Sequence, residues 1–112
     1  MLRPEQLDDQ VHFLLSTLIQ REVRDPDLGF LTLTAVRLTA DRSLARVYYT
    51  VLGDQAQVER SRKALERAAG FLRSHLAKRL RMRRVPQLQF IADNSIARGA
   101  KILEIINKLE EV

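Results

Sequence analysis

The 112-residue chain contains no cysteine and no tryptophan. Lack of cysteine removes disulfides, thiolate metal sites and a cysteine nucleophile together, and argues against a disulfide-stapled secreted module. Glycine occurs only at Gly29, Gly53, Gly70 and Gly99, too widely spaced for a phosphate-cradling loop. Aromatic residues make up 5% of the chain, so base stacking is a minor part of any nucleic-acid reading. No apolar run approaches the ~18 residues that would span a membrane. No charged start followed by an apolar run and a small-residue cleavage site marks export, and the cytoplasm is the expected compartment. His12 and His75 fall in different helical stretches and there is no cysteine to join either, so no metal or other cofactor is expected.

What is present is ordinary globular composition, 46% hydrophobic and 29% charged, sufficient for one domain over residues 1–112. The net charge of +5 is unevenly placed. Between Arg60 and Arg84 ten basic residues accompany a single acid, Glu66, and the rest of the chain is net negative. A one-signed segment of this kind is the footprint of a polyanion binder, whereas a merely solvated helix interleaves both signs.

From Pro4 to about Arg24, Leu7, Val11, Leu14, Leu15, Leu18 and Ile19 recur on one helical face, and Pro4 suits the first turn. Asp25, Pro26, Asp27 and Gly29 end that helix, because a residue before proline is pushed out of the helical region. In Phe30–Thr39 the apolar phase changes between Leu31 and Leu33 and the pair Val36 and Leu38, which predicts a β-bulge near Thr34 or Ala35. The turn Ala40–Ser43 leads to a second strand, Leu44–Leu52, and so to an antiparallel hairpin.

Asp54 is the expected N-cap of a helix in which Val58, Leu65, Ala68 and Ala69 lie opposite Arg60, Lys63 and Arg67. Gly70 interrupts that helix and predicts a kink or a close backbone approach. Beyond it Leu72, Leu76 and Leu80 form a new stripe, with Lys78 and Arg81 turned away and an end by Val85, before Pro86. Gln87–Ala92 reads as a third strand. Asp93, Asn94 and Ser95 then precede a last helix from about Ile96 to Glu110. Phe71 is assigned to the core and Tyr48 to neither core nor surface.

Several stretches, in this order and spacing, resemble the bacterial ribosome-binding factor A family. They are Arg21 with Asp25-Pro26, Leu28-Gly29, Leu31-Thr32-Leu33-Thr34, Asp41 and Leu44-Ala45 before Val47-Tyr48, then Ala68-Ala69-Gly70-Phe71-Leu72-Arg73, Leu80-Arg81 with Arg83, Pro86-Gln87-Leu88 with Phe90, and Asp93 with Ser95-Ile96 and Gly99. The resemblance implies an α+β, type II KH-like fold of order αββααβ with a further C-terminal helix. An Ala-x-Gly kink at Ala68, Ala69 and Gly70 would stand in place of the usual Gly-x-x-Gly loop.

The resemblance also implies a non-catalytic, monomeric factor that binds the free small ribosomal subunit and its precursor rRNA late in assembly. Such factors assist rRNA end maturation, support growth in the cold and act alongside an assembly GTPase that releases them. The residues expected to contact RNA are Arg60, Lys63, Arg67, Arg73, Lys78, Arg81, Arg83 and Arg84. Asp8 and Asp9 make the first helix more acidic than in many relatives. Three rival readings exist: a general nucleic-acid-binding module, a small nuclease using the strand-end carboxylates Asp41 and Asp93, and a domain whose arginine face meets an acidic protein.

Overall fold

The computed structural model describes residues 4–93. The predicted last helix, with Ser95, Ile96 and Gly99, lies outside the described residues. The element order is α1 (Pro4–Arg21), β1 (Leu31–Leu38), β2 (Leu44–Val51), α2 (Gln55–Leu80) and β3 (Gln87–Ala92). The fold is α+β, with a sheet of order β1-β2-β3 in which β1–β2 is antiparallel and β2–β3 parallel.

The apolar stripe of α1 buries Leu7, Val11, Leu15, Leu18 and Ile19. Arg21 is its last residue, a little before the expected end near Arg24, because Leu18 O already accepts from both Glu22 N and Val23 N and closes the final turn. The register shift between Leu33 and Ala35 leaves Thr34 as the extra residue of a β-bulge, as the phase change predicts. It lets Leu33 and Val36 both point into the core, where they meet Ala45, Val47 and Tyr49 of β2. Both helices pack on this one face of the sheet.

In place of the two helices expected on either side of Gly70, the structure has one, Gln55–Leu80. Its buried residues Ser61, Ala64, Leu65, Leu72 and Leu76 form one continuous stripe, so the same face meets the sheet before and after the glycine. A glycine in a helix costs about 1 kcal/mol relative to alanine, too little to break a helix packed along its length. The close-approach expectation fails: a Cβ placed on Gly70 would meet nothing within 4 Å. Phe71 is likewise corrected, being 41% exposed and set against the His75 ring with centroids 4.4 Å apart. It lies one residue before the buried Leu72, and 100° of rotation carries it off the packed stripe.

Asp54 caps α2 as predicted, its Oδ1 accepting from Gln57 N at 2.8 Å. At the other end Arg81 adopts the left-handed conformation (φ 50°, ψ 45°), and the N–H groups of Arg81 and Met82 both reach Ala77 O. That closure ends α2 at Leu80, ahead of Pro86. Gln87 N donates to Ser43 O, so the loop after α2 reaches the same end of the sheet as the β1–β2 turn.

Candidate nucleic-acid interface

At 100° per residue, Arg60, Lys63, Arg67 and Lys78 fall in one sector of α2, opposite the buried stripe, and Arg81 follows as the residue that caps the helix. From Arg60 to Arg81 this sector is about 30 Å long. Between its two groups of cations lie Gly70 and Ser74, both exposed. Arg83 and Arg84 extend the charge beyond the helix end, and both are exposed.

The structure separates the predicted cations into two kinds. Arg67 is taken up by the fold. Its Nε and Nη2 donate to the two carboxylate oxygens of Asp25 at 3.0 and 3.1 Å, and Nη2 also reaches Asp27 Oδ2 at 3.0 Å. The backbone N–H of Asp27, then the Arg67 guanidinium, hold the Asp25 carboxyl below the usual carboxylate range. Arg73 also works within the molecule, with Nε donating to Pro86 O and Nη2 to Val85 O, tying α2 to the segment that enters β3. Arg60 donates to Gln57 Oε1 and otherwise faces solvent. Lys78, Arg81, Arg83 and Arg84 are exposed and have no partner among the described residues, whereas Lys63, also exposed, lies within electrostatic reach of the Glu59 carboxylate.

Glu66, the one acid in the basic segment, is paired with Arg62, which also binds Glu59. The negative charge of α2 is thus paired with Arg62 on the flank of the cationic sector, where Glu59 also lies within electrostatic reach of Lys63. Arg79, outside the predicted set, adds an exposed charge in the last turn, where a cation also suits the helix dipole.

Sequence reasoning did not find the clamp that positions α2. Ser61, fully buried, accepts from Gly29 N and from Gln57 Nε2, and Gln57 Nε2 also donates to Asp27 O. A Cβ on Gly29 would lie 2.6 Å from Gln57 Nε2, so a side chain there would displace the Gln57 amide from Asp27 O and Ser61 Oγ. The signal available in the sequence was the Asp25-Pro26-Asp27 acid pair, which reads as a turn until its partner Arg67 is known.

Asp41 closes the hairpin turn, accepting from Thr39 Oγ1 at 2.7 Å, Ser43 Oγ at 2.8 Å and Ser43 N at 3.1 Å. Asp93 follows β3 and accepts from Thr34 Oγ1. Because β3 runs parallel to β2, Asp41 and Asp93 stand at opposite ends of the sheet, roughly 15 Å or more apart at the rise of a strand. They do not form a catalytic pair.

Fold and site together define a small α+β protein whose long helix turns a cationic face to solvent. Comparison with known proteins gives the family. The model of the family "Ribosome-binding factor A" matches residues 3–106. Ribosome-binding factor A of Staphylococcus carnosus is 46% identical over 110 residues, which are 98% of this chain and 96% of that protein. The Nitrosomonas eutropha protein of the same name is 47% identical over 100 residues, 89% of this chain and 86% of the relative.

Among solved structures, the crystal structure of ribosome-binding factor A from Thermus thermophilus is similar with a TM-score of 0.74 and 36% identity, covering 83% of this chain and 98% of that one. A Thermus thermophilus homology model fitted into the cryo-EM map of a 30S complex of that factor is similar with a TM-score of 0.67 and 38% identity, covering 80% and 93%. The chain belongs to the ribosome-binding factor A family.

Proposed function

We propose that this chain is a non-catalytic assembly factor that binds the small ribosomal subunit through its rRNA, using the outer face of α2 and the loop after it. The observation that carries the reading is the sector of exposed cations Lys63, Lys78 and Arg81, continued by Arg83 and Arg84, of which all but Lys63 are unpaired among the described residues. Relatives that share the chain almost end to end, and the Thermus thermophilus factor fitted in a 30S complex, support the choice of partner. The exposed Gly70 and Ser74 keep the middle of the face low, so a phosphate backbone can approach the helix between the two cation groups. Arg60 joins these contacts by exchanging Gln57 for phosphate. Arg67 and Arg73 contribute by holding α2 in place.

Binding the immature subunit more tightly than the mature one would shift rRNA toward the conformation disfavoured in the finished particle. The same reading includes help in rRNA end maturation and growth in the cold, release by an assembly GTPase, and a monomeric, single-domain, KH-like factor in the cytoplasm. The observed order of elements supports the KH-like assignment, with one long helix in place of two.

A Lys78→Glu/Arg81→Glu double variant tests the proposal. It should lose co-sedimentation with purified small subunits at moderate salt while keeping the circular dichroism of the parent. Unchanged co-sedimentation overturns it.

A further inference from the structure

Both helices cover the same face of the sheet, and no described element lies on the other. Along the open face, register pairing sets Arg37, Arg46 and Gln89 in one row and Ala35, Tyr48 and Ile91 in the next. Arg37, Arg46 and Gln89 are exposed, and Tyr48 is half-buried between its neighbours. We propose that this open face is a second RNA contact, one that takes an unpaired stretch: Tyr48 stacks on a base, and Arg37 and Arg46 hold the adjoining phosphates. The inference rests on the RNA-binding reading and adds to it a strand type and a location.

Three observations carry it. First, Arg37 and Arg46 stand directly opposite each other on adjacent strands, an arrangement that destabilises a sheet by like-charge repulsion. Folding therefore gives no reason for the pair, whereas an anion lying across it would relieve the repulsion. Arg37 Nη1 donates to Val36 O, which steadies that guanidinium over the strand, and Arg46 has no partner among the described residues.

Second, the charge that the strands themselves place on this face is of one sign. The outward positions of the three strands carry no acid: Thr32, Thr34, Ala35 and Arg37 on β1, Leu44, Arg46, Tyr48 and Thr50 on β2, and Gln87, Gln89 and Ile91 on β3. Two carboxylates flank the strands: Asp41 is engaged by Thr39 and Ser43, and Asp93, just past β3, reaches over the face to accept from Thr34 Oγ1, beside the Tyr48 row and away from the arginine row. The Gln87 N–H bond to Ser43 O brings the Arg83–Arg84 loop beside the turn that carries Arg42, so cations run from the end of α2 to the rim of the sheet.

Third, the chemistry selects single strands. A ring lying on a sheet can be reached by an unstacked base but not by one inside a duplex, and arginine beside an aromatic is the recurring pattern for such bases. The Gln89 amide, in the arginine row, can donate to or accept from a base edge.

The test uses the full chain. In a Tyr49→Phe background Tyr48 is the sole tyrosine and the chain has no tryptophan, so intrinsic fluorescence reports on Tyr48 alone. A short oligouridylate should quench it, and a duplex RNA of equal length should not. In fluorescence anisotropy with labelled oligouridylate, Tyr48→Leu should weaken binding roughly tenfold and Tyr48→Phe should restore it. Arg37→Gln/Arg46→Gln should weaken binding by a similar factor and flatten the log–log salt dependence by about 1.4, the value for two phosphates on a single strand. Its thermal midpoint should not fall, because the like-charge pair is gone.

Unquenched Tyr48 with unchanged affinity in the arginine variant overturns the proposal, and so does polyglutamate competing as well as oligouridylate, which would indicate an acidic protein instead. If the sheet variants behave as the parent while Lys78→Glu/Arg81→Glu still loses the small subunit, only this second contact falls. If neither set of variants affects subunit binding, the reading of the whole protein falls with it.

Discussion

One carboxylate organises the hairpin turn. Hydrogen bonds from the Thr39 hydroxyl, then from the N–H and hydroxyl of Ser43, lower the Asp41 pKa from 3.8 to about 2. The folded-state value lies below the unfolded one, so the stabilisation is complete above pH ~4 and is lost as the pH falls toward 2. An Asp41→Ala variant should melt below the parent at pH 7, and the gap should close by about pH 2 in thermal melts recorded across that range. Tyr49 presents the opposite situation: its ring is 1% exposed, and its hydroxyl has no hydrogen-bond partner among the described residues. A buried, unsatisfied polar group costs about 1–3 kcal/mol, so Tyr49→Phe should raise stability by about 1 kcal/mol in denaturant titrations.

At the scale of the element, α2 performs two tasks on opposite faces. Gly70 weakens the helix without serving its packing, since the space around it is open. Gly70→Ala should therefore stabilise the protein by about 0.5–1 kcal/mol. If the phosphate backbone lies against this part of the helix, Gly70→Leu should be at least as stable as the parent. It should also bind small subunits about tenfold more weakly, as read from co-sedimentation isotherms. Arg67 and Lys78 distinguish the two tasks. Arg67→Ala removes the bridge to Asp25 and Asp27 and should lower the thermal midpoint by a few degrees. Lys78→Ala removes an exposed cation and should leave the midpoint unchanged while weakening subunit binding. Thermal melts and sedimentation on the same pair of variants check both.

At the scale of the whole molecule, the positive excess is concentrated on the outer face of α2 and the adjoining loop. Five exposed cations there, Lys63, Lys78, Arg81, Arg83 and Arg84, should give a log–log salt slope of about −4 for subunit binding, at 0.7–0.9 per phosphate neutralised. Titration between low and moderate salt measures it, and a slope near −1 would mean that most of these charges touch no phosphate. The opposite ends of the sheet differ as well. Among the described residues Arg42, Arg83 and Arg84 stand at one end of the sheet, where Asp41 is held by Thr39 and Ser43, whereas Asp54 and Asp93 lie at the other.

Much of this was legible in the chain because it depends on neighbours within a few residues. The period of α1, the phase change that forces the bulge at Thr34, the Asp54 cap, the Asp41 turn and the density of arginine after Arg60 are all local. Other features were not legible because they depend on groups far apart in sequence. Nothing near Arg67 announces that Asp25 and Asp27, some forty residues earlier, will claim it. Nothing near Arg73 points to the carbonyls of Val85 and Pro86. Gly70 misled for the same reason: its local cost is real, but packing of Leu65, Leu72 and Leu76 along one sheet keeps the helix whole.

By itself, then, the order of residues determined α1 and its inward face, the three strands with their bulge, the position of the charge-rich segment and the family. Tertiary structure alone decided which cations remain free. A guanidinium is equally basic wherever it occurs, and only the folded arrangement of carboxylates and carbonyls around it sets whether it clamps the protein or is left for a ligand.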